Sequence, residues 1–121
     1  MADIPDIGAG SLDERITTLV DARVSLFERV DGTMQLARMR APKIPSINEG
    51  IADIAEVFRL QIAEHFAAEL DAVAERDRLL LVDAVLILTS YDSYSTHLRL
   101  LQSDVARIRA AWVCALAALL G

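Results

Sequence analysis

The feature that most limits the fold of this chain is the hydrocarbon content of its C-terminal part. Residues 79–88 run Leu-Leu-Leu-Val-Asp-Ala-Val-Leu-Ile-Leu, and residues 110–120 run Ala-Ala-Trp-Val-Cys-Ala-Leu-Ala-Ala-Leu-Leu. They read as two consecutive helices that are apolar nearly all the way round. A surface helix of a small domain needs one apolar stripe and keeps its far side polar. Helices of this composition need cover on both sides, and the simplest arrangement buries one face on the chain's own domain and the other on a second copy. The sequence therefore predicts a homodimer through the last two helices. Leu79, Leu86, Tyr94, Leu101, Ala110, Val113, Cys114, Ala117 and Leu120 are expected at that interface.

A chain of 121 residues provides one domain with one core. Its 54 % apolar content excludes intrinsic disorder. Eighteen acidic against twelve basic residues give a net charge of −6, which opposes binding to phosphate backbones. The single cysteine, Cys114, has no partner for an internal disulfide and reads as a small buried hydrophobe, compatible with a reducing, cytoplasmic setting. The first ten residues carry no basic region and no apolar signal core. The longest apolar run, residues 110–120, falls well short of the ~20 residues a membrane-spanning helix needs, so no membrane partner is expected.

Residues 1–10, with two glycines and a proline, read as a flexible lead-in, followed by one helical domain over 11–121. Ser11 and Glu14 form a capping box that opens the first helix, and Leu12, Ile16, Leu19, Leu26, Phe27 and Val30 follow at helical spacing until Asp31-Gly32 ends the run. A short helix is expected over Met34–Met39, then a turn at residues 41–46 set by two prolines. Ser46 and Glu49 form a second capping box, and Ile47, Ile51, Ile54, Ala55, Phe58, Ile62 and Phe66 make the next helix amphipathic. A helical turn near Ala68–Val73, a long helix over about 78–100 and a final helix over about 104–120, capped by Ser103, complete the reading. No alternating strand pattern occurs. The expected fold is all-α, an antiparallel bundle of about five to six helices.

Enzyme signatures are absent: there is no Gly-rich phosphate loop, no His-x-x-x-His and no cysteine pair. His65 and His97 fall on different helices, so neither a metal nor a cofactor is expected, and nothing in the sequence marks an enzyme. Three features point instead to a binding pocket. Arg23 falls on the apolar stripe of the first helix, between Leu19 and Phe27, where a guanidinium either pairs with a carboxylate at the core's edge or meets a ligand. The segment Thr89–Thr96 turns abruptly polar, and Asp92 and Ser95 continue the stripe of Leu81, Val85 and Leu88, so they are expected to point inward. Met34, Met39, Phe58, Gln61, His65 and Phe66 lie on the elements expected to face that patch, and such residues line small-molecule pockets as well as ordinary cores. The expected ligand-binding residues are Arg23, Phe27, Met34, Phe58, Gln61, His65, Tyr91, Asp92 and Ser95.

Several local phrases resemble a known family. Glu64-His-Phe-Ala-Ala-Glu-Leu70 and Leu80-Leu-Val-Asp-Ala-Val-Leu-Ile-Leu-Thr-Ser-Tyr-Asp-Ser-Tyr94 resemble the C-terminal half of TetR-family transcriptional regulators. So do Ser11-Leu-Asp-Glu-Arg15 with Leu26-Phe-Glu-Arg29, Arg38-Met-Arg-Ala-Pro42 and the closing Ala110-Ala-Trp-Val-Cys-Ala-Leu116. The resemblance runs from about Ser11 to Gly121. It implies a helical domain that binds a small effector and dimerises through its last two long helices as a four-helix bundle. In that family, effector binding changes the spacing of two N-terminal DNA-reading heads. Nothing before Ser11 resembles such a head, so this chain by itself is not expected to bind nucleic acid. The expected function is that of the effector-binding and dimerisation domain of a TetR-like regulator, with a second copy and a small, mostly apolar effector as partners. A stand-alone all-α protein-interaction module is the main alternative. A small enzyme that gathers Asp92, His65 and Arg23 only in the fold is the remaining one.

Overall fold

Ser11 starts the first helix as its sequence dictates. Its hydroxyl accepts from the Glu14 backbone N–H at 3.2 Å, and the Glu14 carboxylate accepts from the Ser11 N–H at 3.4 Å, which satisfies two donors the helix itself leaves open. In the computed structural model, which describes residues 4–121, this helix, α1, runs without interruption from Leu12 to Arg40. The expected stop at Asp31-Gly32 and the separate helix over Met34–Met39 are therefore corrected to one long helix. Gly32 sits inside it with open space where a side chain would stand. A glycine in a helix interior costs about 0.5–1 kcal/mol relative to alanine, which packing on both sides of Gly32 outweighs.

Helix α2 spans Pro45–His65. Its expected capping box also needs correction. Ile44 is the capping residue, no side chain caps the end, and Pro45 fills the first turn, where its missing N–H loses nothing. A short helix, α3, covers Ala67–Asp71, and α4 covers Glu75–Leu88.

The single helix expected over 78–100 is broken in two. Thr89 turns its hydroxyl back to the Val85 carbonyl at 2.8 Å, and Ser90 does the same to Ile87 at 2.7 Å. Side chains that compete with the backbone for its own hydrogen bonds end helices in this way. Ser90 then caps the next helix, α5 (Tyr91–Ser95), by accepting from the Ser93 N–H at 3.1 Å. A π-helical turn over Thr96–Leu100 follows, closed by the Leu101 N–H on the Thr96 carbonyl at 3.0 Å. Helix α6 runs Val105–Leu120, and its cap is Asp104 rather than the expected Ser103: the Asp104 carboxylate accepts from the Arg107 N–H at 2.8 Å. The result is an all-α bundle, with no strand among the described residues.

Helix α1 packs most extensively on α6, and α2 on α4. Ile16, Leu19, Val20, Val24 and Phe27 from α1 meet Ile108, Trp112 and Leu116 from α6, all buried. Phe58, Ile62 and Phe66 contribute from α2, and Val82 and Val85 from α4. Tyr91 and Tyr94 close the core beside Phe27, with ring centroids 5.7 and 5.8 Å from it. Each buried side chain of this size contributes about 1.5–3 kcal/mol relative to exposure.

The expected loose lead-in is also corrected over its described part, residues 4–10; residues 1–3 lie outside the described residues. Ile4 is buried in the core cluster, and the Gly8 N–H donates to His65. Gly8 and Gly10 hold φ of 81° and 92°, a region where glycine alone sits without strain, and this is what folds the segment back on the bundle.

Candidate functional site

The two helix pairs do not close completely on each other. Between them lies a half-open cleft of about 580 Å³, within the range of small-molecule sites. Leu26, Phe27, Val30, Thr33, Met34 and Arg38 form its α1 wall, and Ile51, Ile54, Ala55 and Phe58 its α2 wall. Leu86 and Ile87 of α4 and Ser90, Tyr91 and Asp92 at the helix break complete it. Its surface is mostly hydrocarbon, with its charged groups at one place. There the Arg38 guanidinium meets the Asp92 carboxylate through two hydrogen bonds, Nε at 2.8 Å and Nη2 at 3.0 Å, in the paired geometry that gives arginine–carboxylate contacts their directionality.

Of the residues expected to bind ligand, Phe27, Met34, Phe58, Tyr91 and Asp92 line this cleft. Asp92 does so differently from expectation: it is exposed and paired with Arg38 rather than turned inward. The break at Thr89-Ser90 resets the helical phase, so Tyr91 and Tyr94 take the inward positions instead. Ser95 lies off the cleft and accepts from Arg99 Nη1 at 2.9 Å. The Tyr91 hydroxyl is spoken for as well. It donates to Asp31 Oδ1 at 2.6 Å, and burial together with that carboxylate pushes its pKa up to about 12. Arg99 binds the same Asp31 and, as the principal cause, holds its carboxyl below the usual range.

His65 stands away from the cleft and has a structural task. Its Nδ1 accepts from the Gly8 N–H at 2.8 Å, so Nε2 carries the proton and donates to the Arg15 carbonyl at 2.8 Å. Burial lowers its pKa, consistent with this neutral form. Beside it, the Arg15 guanidinium is bound on all sides: two contacts to the Glu69 carboxylate, one at 2.9 Å, with Nε to the Gly10 carbonyl at 3.2 Å and Nη1 to the His65 carbonyl at 3.3 Å.

Arg23, two helical turns further along the same stripe, has none of this. It is 1 % exposed, and none of its three guanidinium nitrogens has a hydrogen-bond partner among the described residues. Its one compensation is the Phe58 ring, whose centroid lies 3.8 Å from the guanidinium carbon. A cation on an aromatic face gains about 2 kcal/mol when desolvated, less than the several kcal/mol an ion costs to remove from water. Burial accordingly brings the Arg23 pKa down to about 10, which leaves it charged at neutral pH. Gln61, one turn beyond Phe58 on α2, likewise has a buried Oε1 with no partner among the described residues. Neither residue lines the cleft itself; both adjoin Phe58, which does.

The sequence missed part of the wall. Arg38 continues the α1 stripe of Val30 and Met34 at steps of four, a signal hidden by reading Gly32 as a stop. Leu86, expected at the dimer interface, lines the cleft. Among the other expected interface residues, Leu79, Leu101, Ala110, Cys114 and Ala117 are exposed and Val113 is half-buried. Tyr94 and Leu120 are buried in the chain's own core, so neither is free to meet a second copy. The exposure of Cys114 corrects the reading of it as a buried hydrophobe; α6 turns Ile108, Trp112, Leu116 and Leu120 inward, and Cys114 falls on the opposite side. No cluster of metal-ligating side chains occurs among the described residues, and no helix among them is long and apolar enough to cross a membrane. Comparison of the chain with protein-family models, with curated proteins and with solved structures gives no match.

Proposed function

We propose that this chain is a small-molecule-binding domain that acts as a homodimer, in the manner of the effector domain of a TetR-like transcriptional regulator in a cytoplasmic setting. The observation that carries the reading is the cleft of about 580 Å³ between α1, α2 and the break before α5. A bundle of this size has no structural need for an unfilled apolar volume, since interiors pack at the density of organic crystals. The occupant that suits the walls is mostly apolar, with the Arg38–Asp92 pair as a polar stop at the cleft's edge. A ligand that touches α1, α2 and α4 together can shift their relative placement only by binding one arrangement better than another. In such a regulator, coupling of about 1–3 kcal/mol to a DNA-reading partner domain would be typical. The net charge of −6 fits a chain that does not itself hold nucleic acid.

The dimer part of the reading is supported by the exposed hydrocarbon of α4 and the turn after α5. Leu79, Leu80, Leu100 and Leu101 are each at least 60 % exposed, an unusual amount of hydrocarbon for a surface with no partner.

Calorimetric titration with 1-decanol, an apolar molecule that fits the cleft, tests the binding part. Saturable binding of one molecule per chain is expected, together with its loss in Ala55→Phe, which fills the cleft from the α2 wall. Absence of saturable binding overturns the reading. Light scattering over a wide dilution range tests the dimer; a persistent monomer would return the exposed leucines to a heterologous protein partner.

A further inference from the structure

The ligand class can be narrowed, on the assumption that the cleft is the binding site. We propose that the cleft takes an amphiphilic anion, an apolar chain or ring system ending in a carboxylate, and that Arg23 is the counter-charge for its head group. Two observations converge on this. The Arg23 guanidinium is buried, and its three nitrogens are unpartnered among the described residues. It stacks at 3.8 Å on Phe58, which is itself part of the cleft wall.

A carboxylate suits this arrangement chemically. The guanidinium presents a planar fork of N–H donors and accepts nothing, so only an acceptor can satisfy it, and an anion satisfies it best. The hydrocarbon walls of Leu26, Ile54 and Leu86 offer such a head group no competing site. At the far end the Arg38 guanidinium is already engaged by Asp92, which leaves Arg23, among the described residues, as the free cation beside the cleft. Phe58 is the element that must move: turning its ring off the guanidinium joins Arg23 to the cleft and gives the ligand's chain the apolar face the ring vacates. Arg23 lies on α1 and Phe58 on α2, so a ligand held there would touch both helix pairs.

The test compares decanoate with 1-decanol, which share a chain and differ in charge at the head. Hydrogen bonds to a charged group are each worth enough to change affinity roughly tenfold or more, so decanoate is expected to bind on the order of tenfold to a hundredfold more tightly than the alcohol. In Arg23→Met, which keeps the volume and removes the charge, that ratio is expected to fall to about one. In Arg23→Lys, which keeps the charge but loses the planar fork, it is expected to be intermediate. Equal affinity of the two ligands for the unaltered protein overturns the assignment of an anion while leaving the cleft reading intact. A preference for decanoate that survives in Arg23→Met overturns the role of Arg23. Failure of both ligands to bind overturns the cleft reading and this inference together. Thermal melting of Arg23→Met, expected to be no lower than that of the parent, separates loss of preference from loss of fold.

Discussion

Arg15 and Arg23 are the same residue type on the same face of α1, two helical turns apart, and both are buried. The first is wrapped by Glu69, Gly10 and His65, so its charge draws the lead-in, α2 and α3 together on α1. The second lies against a phenyl ring, with every donor unpartnered among the described residues. The lesson concerns what burial of a charge means. Where partners are built in, the ion pair is part of the fold, and removing one member is expensive. Where they are absent, the charge adds little to the fold.

The contrast predicts opposite effects of removing one group at each end. Glu69→Ala strands Arg15 among buried groups and is expected to lower stability by about 3–5 kcal/mol, measured by urea unfolding. Arg23→Met, by the same measurement, is expected to leave stability unchanged or to raise it by about 1 kcal/mol. If Arg23→Met unfolds as readily as Glu69→Ala, the two sites are alike and the comparison fails.

Acid sharpens the same distinction. Burial holds the His65 pKa below its ordinary value of 6.5, so the unfolded chain takes up that proton first. The stabilisation is whole above about 6.5 and declines as the pH falls toward the folded value. Arg15, chiefly through its hydrogen bonds, holds the Glu69 carboxyl below its usual 4.5, so that contribution is whole above 4.5 and is lost as the pH falls through the folded value. Both losses fall on the lead-in end. The amide of Gly8 is expected to lose protection from hydrogen exchange as the pH falls below 6.5, while amides near Arg23, whose charge does not change there, keep theirs. Equal loss at both places would show that the latch is not local. The smallest effect is expected at the cleft's edge: Asp92→Ala breaks an exposed pair and should change stability by no more than about 0.5 kcal/mol, again by urea unfolding.

Much of the bundle was legible because helical periodicity and caps are local signals. The Ser11 box, the apolar stripe of α2 and the bounds of α6 within a residue or so all came from spacing alone. What failed did so where a local rule met a tertiary one. Gly32 carries a stop signal that packing on either side overrides. Thr89 and Ser90 look like weak helix residues, yet their hydroxyls create a new boundary that rotates everything after it, and so Asp92 turns outward. His65 was grouped with the pocket because it lies on the pocket's helix, but its partner is a backbone N–H 57 residues away, which no spacing reveals. Arg23 was conspicuous in the sequence as a charge on an apolar stripe; that its nitrogens have no partner among the described residues emerges only from the packed arrangement.

The aromatic cluster has a practical consequence. Trp112, the chain's only tryptophan, is 1 % exposed, and its indole N–H is unpartnered among the described residues. It meets Phe27 edge-on at 6.4 Å, and the Phe27 side chain is also a wall of the cleft. The protein thus carries a single indole fluorophore, one ring removed from the cleft. Its emission should lie toward the blue in the empty state, and any molecule that displaces Phe27 should be visible in it without a label.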